Sequence, residues 1–302
     1  MKNNLKLKAD LSLIFVTLGW GISYFIVDLC LTELAPVTIN LYRFMIPFIF
    51  SMIVFRKQMK NISKNTWKYA AICSIFICIT YYIASVGLTY TSQSNEAFLI
   101  SLTVVFTPII DHFFNKIKIS RKLFLCLMVC IIGTALLTIN ENFSVSSKHF
   151  FGDMICIFAG LTYAIFIVIT DYALNKHDDI DSLQLGIIEL GITGAIFLLI
   201  SILLVPPTLP KTTGIWFAIL FLGIVGTGVA NIVQNWAQNH TSASHVGLIY
   251  SLEPVFAALT AYFFADEILS TQGYIGASLM FLSVIFMEIN IKKIFKRGLS
   301  NK

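Results

Sequence analysis

The chain has 302 residues, of which 57% are hydrophobic and 12% are charged. A folded water-soluble protein carries about 25% charged residues, so the composition excludes that class and predicts an integral membrane protein. The net charge of +5 does not indicate a nucleic-acid-binding protein, because the basic residues lie in short segments between apolar runs instead of clustering on an aqueous face.

The apolar residues form ten runs, each close to the length of about 20 residues that a helix needs to cross a bilayer. None of the runs alternates as the strands of a membrane barrel do. The sequence therefore predicts an all-α integral membrane protein with ten transmembrane helices, the first of them a true span and not a cleaved signal peptide. The predicted spans lie at about 11–31, 36–55, 68–89, 96–115, 122–139, 152–170, 183–205, 214–236, 243–264 and 272–290.

The six cysteines fall almost entirely inside apolar runs and are not spaced as zinc ligands are. We interpret them as small core side chains and predict neither a metal nor a cofactor. They are Cys30, Cys73, Cys78, Cys126, Cys130 and Cys156.

The distribution of lysine and arginine predicts the orientation, because these residues are retained on the cytoplasmic side of short loops. With the N-terminus inside, 18 of the 21 lysines and arginines lie in inner segments, Lys148 and Lys211 lie outside, and Arg43 lies within a span. Both termini are thus predicted to be cytoplasmic, in a cell membrane such as the inner membrane of a bacterium.

An internal repeat joins the two halves of the chain. Residues 91–120 align without a gap on residues 241–270, with ten identities in thirty positions that include Thr91-Ser92 and Thr241-Ser242. Five spans per half is an odd number, so the two copies are expected to have inverted topology, which is typical of secondary transporters. The predicted division is a first repeat at 1–140, an outer connecting loop at 141–151, a second repeat at 152–291 and a basic tail at 292–302.

Several short segments resemble the drug/metabolite transporter superfamily, EamA type. They are Leu252-Glu253-Pro254-Val255-Phe256-Ala257-Ala258, Phe264-Ala265-Asp266-Glu267, Gln272-Gly273, Ile275-Gly276-Ala277, Gly19-Trp20-Gly21 and Leu41-Tyr42-Arg43-Phe44. The resemblance implies a carrier of small organic metabolites, often an exporter of amino acids or related compounds, with a central cavity between the halves. The first-span glutamate of the small multidrug relatives is absent, which argues against export of lipophilic cations by the mechanism that uses this residue.

Three ionisable residues lie deep within predicted spans, where an unpaired charge is costly and therefore suggests function. Arg43 could bind an anionic carboxylate, or it could pair with Glu189 or Glu253. Glu253 precedes Pro254, which disturbs the helix, so it is a candidate proton or amine site, with a hinge role as the alternative. Glu189 is the better candidate for a structural partner.

Polar and aromatic residues within the spans are candidate substrate ligands. Four amides lie on one stripe of the predicted eighth span: Asn231, Gln234, Asn235 and Gln238. The first three are candidate ligands, and interhelical hydrogen bonding is the alternative role of the stripe. The remaining candidates are Trp20, Tyr24, Tyr81, Ser85, Tyr163, Tyr250 and Glu253. The carboxylates near the span ends are expected to be solvated; they are Asp28, Glu96, Asp111, Asp153 and Asp171.

The predicted function is alternating-access transport of a small organic metabolite, such as an amino acid or a related amphipathic compound, as an exporter. The predicted partners are this substrate, the lipid bilayer and a coupled proton or exchanged solute, in a monomer or homodimer. A membrane-embedded enzyme is the main alternative, but Asp178-Asp179-Ile180-Asp181 has no second acidic cluster and no catalytic set stands out. A channel or receptor is a further alternative, against which the inverted repeat argues.

Overall fold

The computed structural model describes residues 2–87, 89–90, 93–138, 147–264 and 270–288, and these residues form helices joined by short turns. Residues 141–146 of the predicted loop at 141–151, the Asp266-Glu267 pair, Thr91-Ser92 and the basic tail lie outside the described residues, and residues 147–151 of that loop already belong to the helix that begins at Ser147. The first half contains α1 (Lys2–Leu31), α2 (Pro36–Val54), α3 (Lys64–Gly87), α4 (Gln93–Ser101), α5 (Thr103–Asn115) and α6 (Arg121–Thr138). The second half contains α7 (Ser147–Lys176), α8 (Ser182–Leu204), α9 (Thr213–Gly223), a π-helical segment (Ile224–Val229), α10 (Ala230–Gln238), α11 (Ala243–Tyr250), α12 (Glu253–Phe264) and α13 (Thr271–Glu288).

Each of the ten predicted spans coincides with one helix or with two or three consecutive helical segments. Seven helical stretches in the described part are long and apolar enough to cross a membrane, and two shorter apolar helices lie at Leu99–Asn115 and Thr271–Met287. Large apolar side chains are exposed around the molecule, with Phe113 and Leu203 each 78% exposed. Such a surface is typical of contact with lipid, because a soluble protein of this size rarely exposes extended apolar patches. The all-α membrane fold is thus confirmed, whereas the exact count of ten crossings stays a prediction.

The predicted fourth and ninth spans are both interrupted at the same point of the repeat. The first breaks at Leu102, between α4 and α5, and the second at Ser251-Leu252, between α11 and α12. In the second half Pro254 explains the break, since it has no N–H to continue the helical ladder. Leu102 and Leu252 are 150 residues apart, which is the offset of the sequence repeat.

The helices pack in a pattern that is unchanged when the two halves are exchanged. Equivalent spans pack on each other across the centre: α2 on α8, the predicted fourth span on the ninth through α5 and α11, and α6 on α13. The contact of α3 with α7 corresponds to that of α1 with α10, and the contact of α1 with α12 corresponds to that of α7 with α5. The two halves therefore have the same helix arrangement and meet face to face.

Hydrogen bonds between turns show that the halves are inverted. The Glu33 carboxylate, between α1 and α2, accepts from the backbone N–H of Lys211 at 2.7 Å, between α8 and α9. The Asp179 carboxylate, between α7 and α8, accepts from the Asn65 amide at 3.0 Å, at the start of α3. The 19 residues of α2 separate these two groups of turns by about 28 Å. The turn between α1 and α2 and its counterpart between α7 and α8 thus lie at opposite ends of the molecule.

We call the end that carries residues 55–63 and 177–181 the basic end, and the end that carries residues 32–35 and 205–212 the opposite end. The basic end includes Arg56, Lys57 and Lys60, and Lys64 and Lys68 follow in the first turns of α3. All six cysteines are buried and free, as expected for core side chains.

Candidate functional site

A cavity of about 100 Å³ lies between the two halves, in the part of the molecule nearer the opposite end. Its wall combines aromatic, hydroxyl and ionisable side chains from both halves, the mixture that fixes the orientation of a small organic ligand. The wall consists of Trp20, Ser23, Tyr24 and Val27 of α1, Arg43 of α2, Thr80, Tyr81, Ala84 and Ser85 of α3, Glu96 and Ile100 of α4, Tyr163 of α7 and Glu253 of α12.

Aromatic rings form the deeper part of this wall. The Trp20 ring packs edge-on against Tyr250 at 4.7 Å and against Tyr163 at 5.9 Å between centroids. The Trp20 indole N–H donates to the Gly226 carbonyl oxygen at 2.9 Å, which fixes the ring across the interface. Tyr250 lies behind Trp20 and is not part of the wall itself. The predicted ligands Trp20, Tyr24, Tyr81, Ser85, Tyr163 and Glu253 therefore share one cavity, with Tyr250 in support.

The amide stripe of α10 lies outside the cavity wall. The Tyr163 hydroxyl donates to the Gln234 side-chain oxygen at 3.2 Å, so Gln234 holds a wall residue from behind. Gln234 in turn donates to Gln238, whose amide donates to the Ile167 carbonyl oxygen at 2.8 Å. The Asn235 amide nitrogen donates a hydrogen bond to the Asn231 side-chain oxygen at 2.7 Å. The stripe thus makes the interhelical hydrogen bonds that were the alternative interpretation of these residues.

The π-helical segment positions Arg43. Its Nε donates to the Thr227 hydroxyl at 2.6 Å, and Nη2 lies 3.4 Å from the Gly226 carbonyl oxygen. The guanidinium also lies over the Tyr81 ring, 4.8 Å from its centroid. π-Helical turns are often found at functional sites because they displace backbone groups from the regular ladder. Here the displaced turn binds Arg43 and Trp20 together.

Arg43 forms no ion pair with Glu189 or Glu253. Within the described residues, the one ion pair shorter than 4.0 Å joins Lys6 to Asp10 at 3.4 Å. Glu253 shares the cavity wall with Arg43, whereas Glu189 lies outside it. Arg43 and Glu253 therefore face the same cavity without an ion pair between them.

Two carboxylates line the cavity. Glu253 is the first residue of α12, immediately after the helix break, and the Tyr24 hydroxyl lies within hydrogen-bonding reach of it. Glu96, on α4, is only 3% exposed, and its Oε2 has no hydrogen-bond partner. Sequence reasoning missed Glu96 as a site residue, because it is the first residue of the predicted run and was expected to be solvated. No sequence pattern distinguishes Glu96 from a solvated carboxylate at the end of a span.

A second group of buried carboxylates lies near the basic end. Asp111 is fully buried, and its carboxylate accepts from the Ser244 hydroxyl at 2.8 Å and from Asn115 at 2.9 Å. Asp171 is 7% exposed on the adjacent α7. The expectation that Asp111 and Asp171 are solvated was therefore wrong, since α11 packs over both and excludes water from them.

Outside the membrane-spanning helices, two carboxylates have pKa values below the usual range. The Thr212 hydroxyl and the Lys211 backbone N–H stabilise the charged form of Glu33 and so lower its pKa. The Asn65 amide does the same for Asp179. Glu33 and Asp179 are therefore each held by hydrogen bonds from a segment in the other half of the chain.

Comparisons with known proteins give the family. The sequence matches the EamA-like transporter family twice, over residues 7–139 and 150–289. An "uncharacterized transporter" of Archaeoglobus fulgidus is 28% identical over 291 residues, which cover 95% of this chain and 87% of that protein. The "uncharacterized transporter YoaV" of Bacillus subtilis is 24% identical over 288 residues, covering 93% of this chain and 96% of that protein.

A protein of known crystal structure has the same fold. It superposes with a TM-score of 0.77 at 15% identity and covers 95% of this chain and 98% of that chain. The two matched family segments account for nearly the whole chain, and the relatives named are transporters rather than enzymes. The chain is therefore a membrane transporter that belongs to the EamA-like transporter family.

Proposed function

We propose that the protein is a secondary transporter that moves a small amphipathic organic metabolite, such as an amino acid or a related compound, through the cavity by alternating access. The observation that carries the proposal is the cavity between the inverted halves, whose wall combines charged groups and aromatic rings. Inverted repeats with a site at their interface allow each half to open in turn.

In the proposed cycle, this conformation is the one that is closed toward the basic end. The hydrogen bond from Ser244 to Asp111 joins α11 to α5 on that side of the cavity. On the opposite side the wall ends in the small residues Ala84 and Ser85 of α3. Transport then requires that the contacts at the basic end break while equivalent contacts form at the other end.

The basic end is proposed to face the cytoplasm of a cell, because lysine and arginine in short loops are retained there. Export follows if the substrate is loaded at the basic end and released at the opposite end. Proton coupling or exchange through Glu253 is part of the proposal, since this carboxylate lies in the wall beside the helix break. Both a monomer and a homodimer are compatible with it.

Flux into proteoliposomes tests the proposal. Purified protein is first screened against amino acids, nucleosides and amines by thermal shift, because a ligand that binds the folded state raises its stability. Radiolabelled hits are then measured for uptake and counterflow. Saturable uptake with counterflow supports a carrier, whereas nonsaturating conductance would identify a channel.

A pair of variants separates the cavity from the rest of the molecule. Tyr163→Ala removes a wall ring and its bond to Gln234, so flux is expected to fall at least tenfold. Phe15→Ala removes a lipid-facing ring that is 73% exposed, so flux is expected to remain. Equal flux in both variants would contradict transport through this cavity.

A further inference from the structure

We propose that the cavity selects a substrate that carries a protonated amine and no carboxylate, and that Glu96 and Glu253 hold the ammonium group. This inference rests on the proposed function, because it narrows the substrate class of the same site from amino acids and related compounds to amines without a carboxylate. It assigns to Glu96 a binding role that no sequence pattern indicated.

The first argument is the unpaired oxygen of Glu96. A carboxylate removed from water needs hydrogen-bond donors or an opposite charge to compensate for the lost hydration. Glu96 is buried in the cavity wall, and its Oε2 has no partner in the described residues. An ammonium group brings three N–H donors and a positive charge. It would therefore supply both of the missing elements.

The second argument is the charge of the wall. Glu96 and Glu253 are the two acidic residues of the wall, and Arg43 is its basic residue. With all three ionised, the wall has a net charge of −1. A monocation brings the occupied site to neutrality, whereas a zwitterion leaves the excess negative charge and an organic acid adds to it. In a space of low dielectric constant, this difference favours the monocation.

The third argument is that Arg43 is already engaged. Its guanidinium donates to Thr227 and lies over the Tyr81 ring, so part of its donor fork and one of its faces are occupied. Thr227 and Gly226 occupy the donors Nε and Nη2 along one edge of the guanidinium, so a substrate carboxylate would lose the two-bond geometry on that edge. Arg43 thus fits a role in shaping the wall better than a role as a carboxylate receptor.

The aromatic residues indicate the rest of the ligand. Trp20, Tyr24 and Tyr163 offer ring faces and edges beside the two carboxylates. Aromatic faces attract ammonium groups and also bind apolar bodies. The expected ligand is therefore a primary amine on an aromatic or aliphatic body that is small enough for a cavity of about 100 Å³.

Three probes with the same ring test the charge preference. Tyramine carries only the amine, tyrosine carries both charges, and 4-hydroxyphenylpropionate carries only the carboxylate. Binding to the full-length purified protein is measured by calorimetry and thermal shift, together with a panel of alkyl monoamines. We expect tyramine or an alkyl amine to bind at least tenfold more tightly than tyrosine, and the acid not to bind. Equal affinity for tyrosine, or no binding of any amine, would overturn the proposal.

Matched variants locate the binding group. Glu96→Gln keeps the shape and removes the charge, and it is expected to weaken amine binding at least tenfold. Asp28→Asn removes a carboxylate from the exposed face of α1 outside the wall, so it should leave binding unchanged. An unchanged amine affinity in Glu96→Gln, with a normal elution profile and melting temperature, would refute the role of Glu96.

Failure of this inference can be distinguished from failure of the proposed function. If amines bind through Glu96 but are not carried across proteoliposome membranes, the site inference stands and the transport proposal fails. If tyrosine or another zwitterion is carried and Glu96→Gln has no effect, transport stands and the inference fails.

Discussion

Glu189 and Asn235 form a hydrogen bond of 3.0 Å, from the Asn235 amide nitrogen to Oε2 of the carboxylate, between α8 and α10. Its counterpart in the first half is the bond of 2.9 Å from the Asn40 amide to the Ser85 hydroxyl, between α2 and α3. Glu189 and Asn235 lie 149 and 150 residues after Asn40 and Ser85. Equivalent positions are thus joined by a hydrogen bond in both halves, with donor and acceptor exchanged, but only Ser85 reaches the cavity.

The Glu189–Asn235 contact predicts that a neutral side chain suffices at position 189. Both residues are fully buried, and Glu189 Oε1 and Asn235 Oδ1 lack partners. Glu189→Gln keeps an acceptor for Asn235 and adds an N–H donor, so the melting temperature is expected to stay within about 2 °C of the parent. A shift of about 2 °C corresponds to about 1 kcal/mol for a chain of this size.

The truncated variant at the same position serves as the comparison. Glu189→Ala removes the interhelical acceptor of the buried Asn235 amide and leaves it only the acceptors on Asn231, which is expected to cost about 1–3 kcal/mol. Thermal unfolding in detergent measures both variants. A larger loss in Glu189→Gln than in Glu189→Ala would show that the charge of Glu189 is required.

Gly226 is predicted to be intolerant of a side chain. A Cβ at this position would lie 2.7 Å from the Ser23 hydroxyl oxygen, in the turn that binds Trp20 and Arg43. Gly226→Ala is therefore expected to destabilise the protein by about 1–3 kcal/mol and to weaken ligand binding. Calorimetry and thermal unfolding check both effects.

Gly19→Ala is the matched control for Gly226. No atom lies within 4 Å of a Cβ placed on Gly19. Because alanine is favoured over glycine inside a helix by about 0.5–1 kcal/mol, this variant should be neutral or slightly more stable. A Gly226→Ala variant that is as stable as Gly19→Ala would contradict the close contact between the π-helical segment and Ser23.

Arg43→Lys is predicted to lose function although it keeps the positive charge. Lysine cannot reproduce the planar fork that donates to Thr227 while it stacks on Tyr81. Loss of a hydrogen bond from a charged group costs about 1.5–3 kcal/mol, so initial flux should fall roughly tenfold to a hundredfold. Full activity in Arg43→Lys would indicate that the charge alone is sufficient.

Ser244→Ala is predicted to loosen the basic end. The Ser244 hydroxyl donates to the buried Asp111 carboxylate and so holds α11 against α5. Hydrogen exchange of the α11 amides is expected to become faster, because the local opening free energy falls with the lost bond. Ser278→Ala removes an exposed hydroxyl that bonds only within α13, so it should not change exchange in α11.

The turn that carries Glu33 is predicted to weaken in acid. Hydrogen bonds from Thr212 and Lys211 lower the pKa of Glu33 in the folded state. A group with a lowered pKa stabilises the fold above its unfolded pKa of about 4.3, and this contribution is lost as the pH falls through the folded value. Melting temperatures of the parent should therefore decline more steeply in acid than those of Glu33→Gln. Parallel profiles would contradict the contact.

Part of the site could be predicted from the sequence because a polar or charged side chain that faces lipid costs free energy. A charge or a hydroxyl-bearing ring in a long apolar run must face protein or water, which identified Arg43, Glu253, Tyr24 and Tyr163. The amides of α10 follow the same rule, yet they face other helices. Polarity within a run shows only that a residue points inward, and it does not tell a cavity from an interhelical contact.

The sequence by itself determined that this protein lies in a lipid bilayer, that it is helical and that its two halves are copies of each other. Apolar length and backbone hydrogen bonding are properties of each segment alone, and the repeat is visible in the order of its residues. Only the tertiary structure decided that Glu96 enters the cavity, that Glu189 bonds Asn235 instead of Arg43, and that Asp111 is covered by α11. These outcomes depend on which faces of helices distant in sequence meet, and a face is selected by packing against its neighbours.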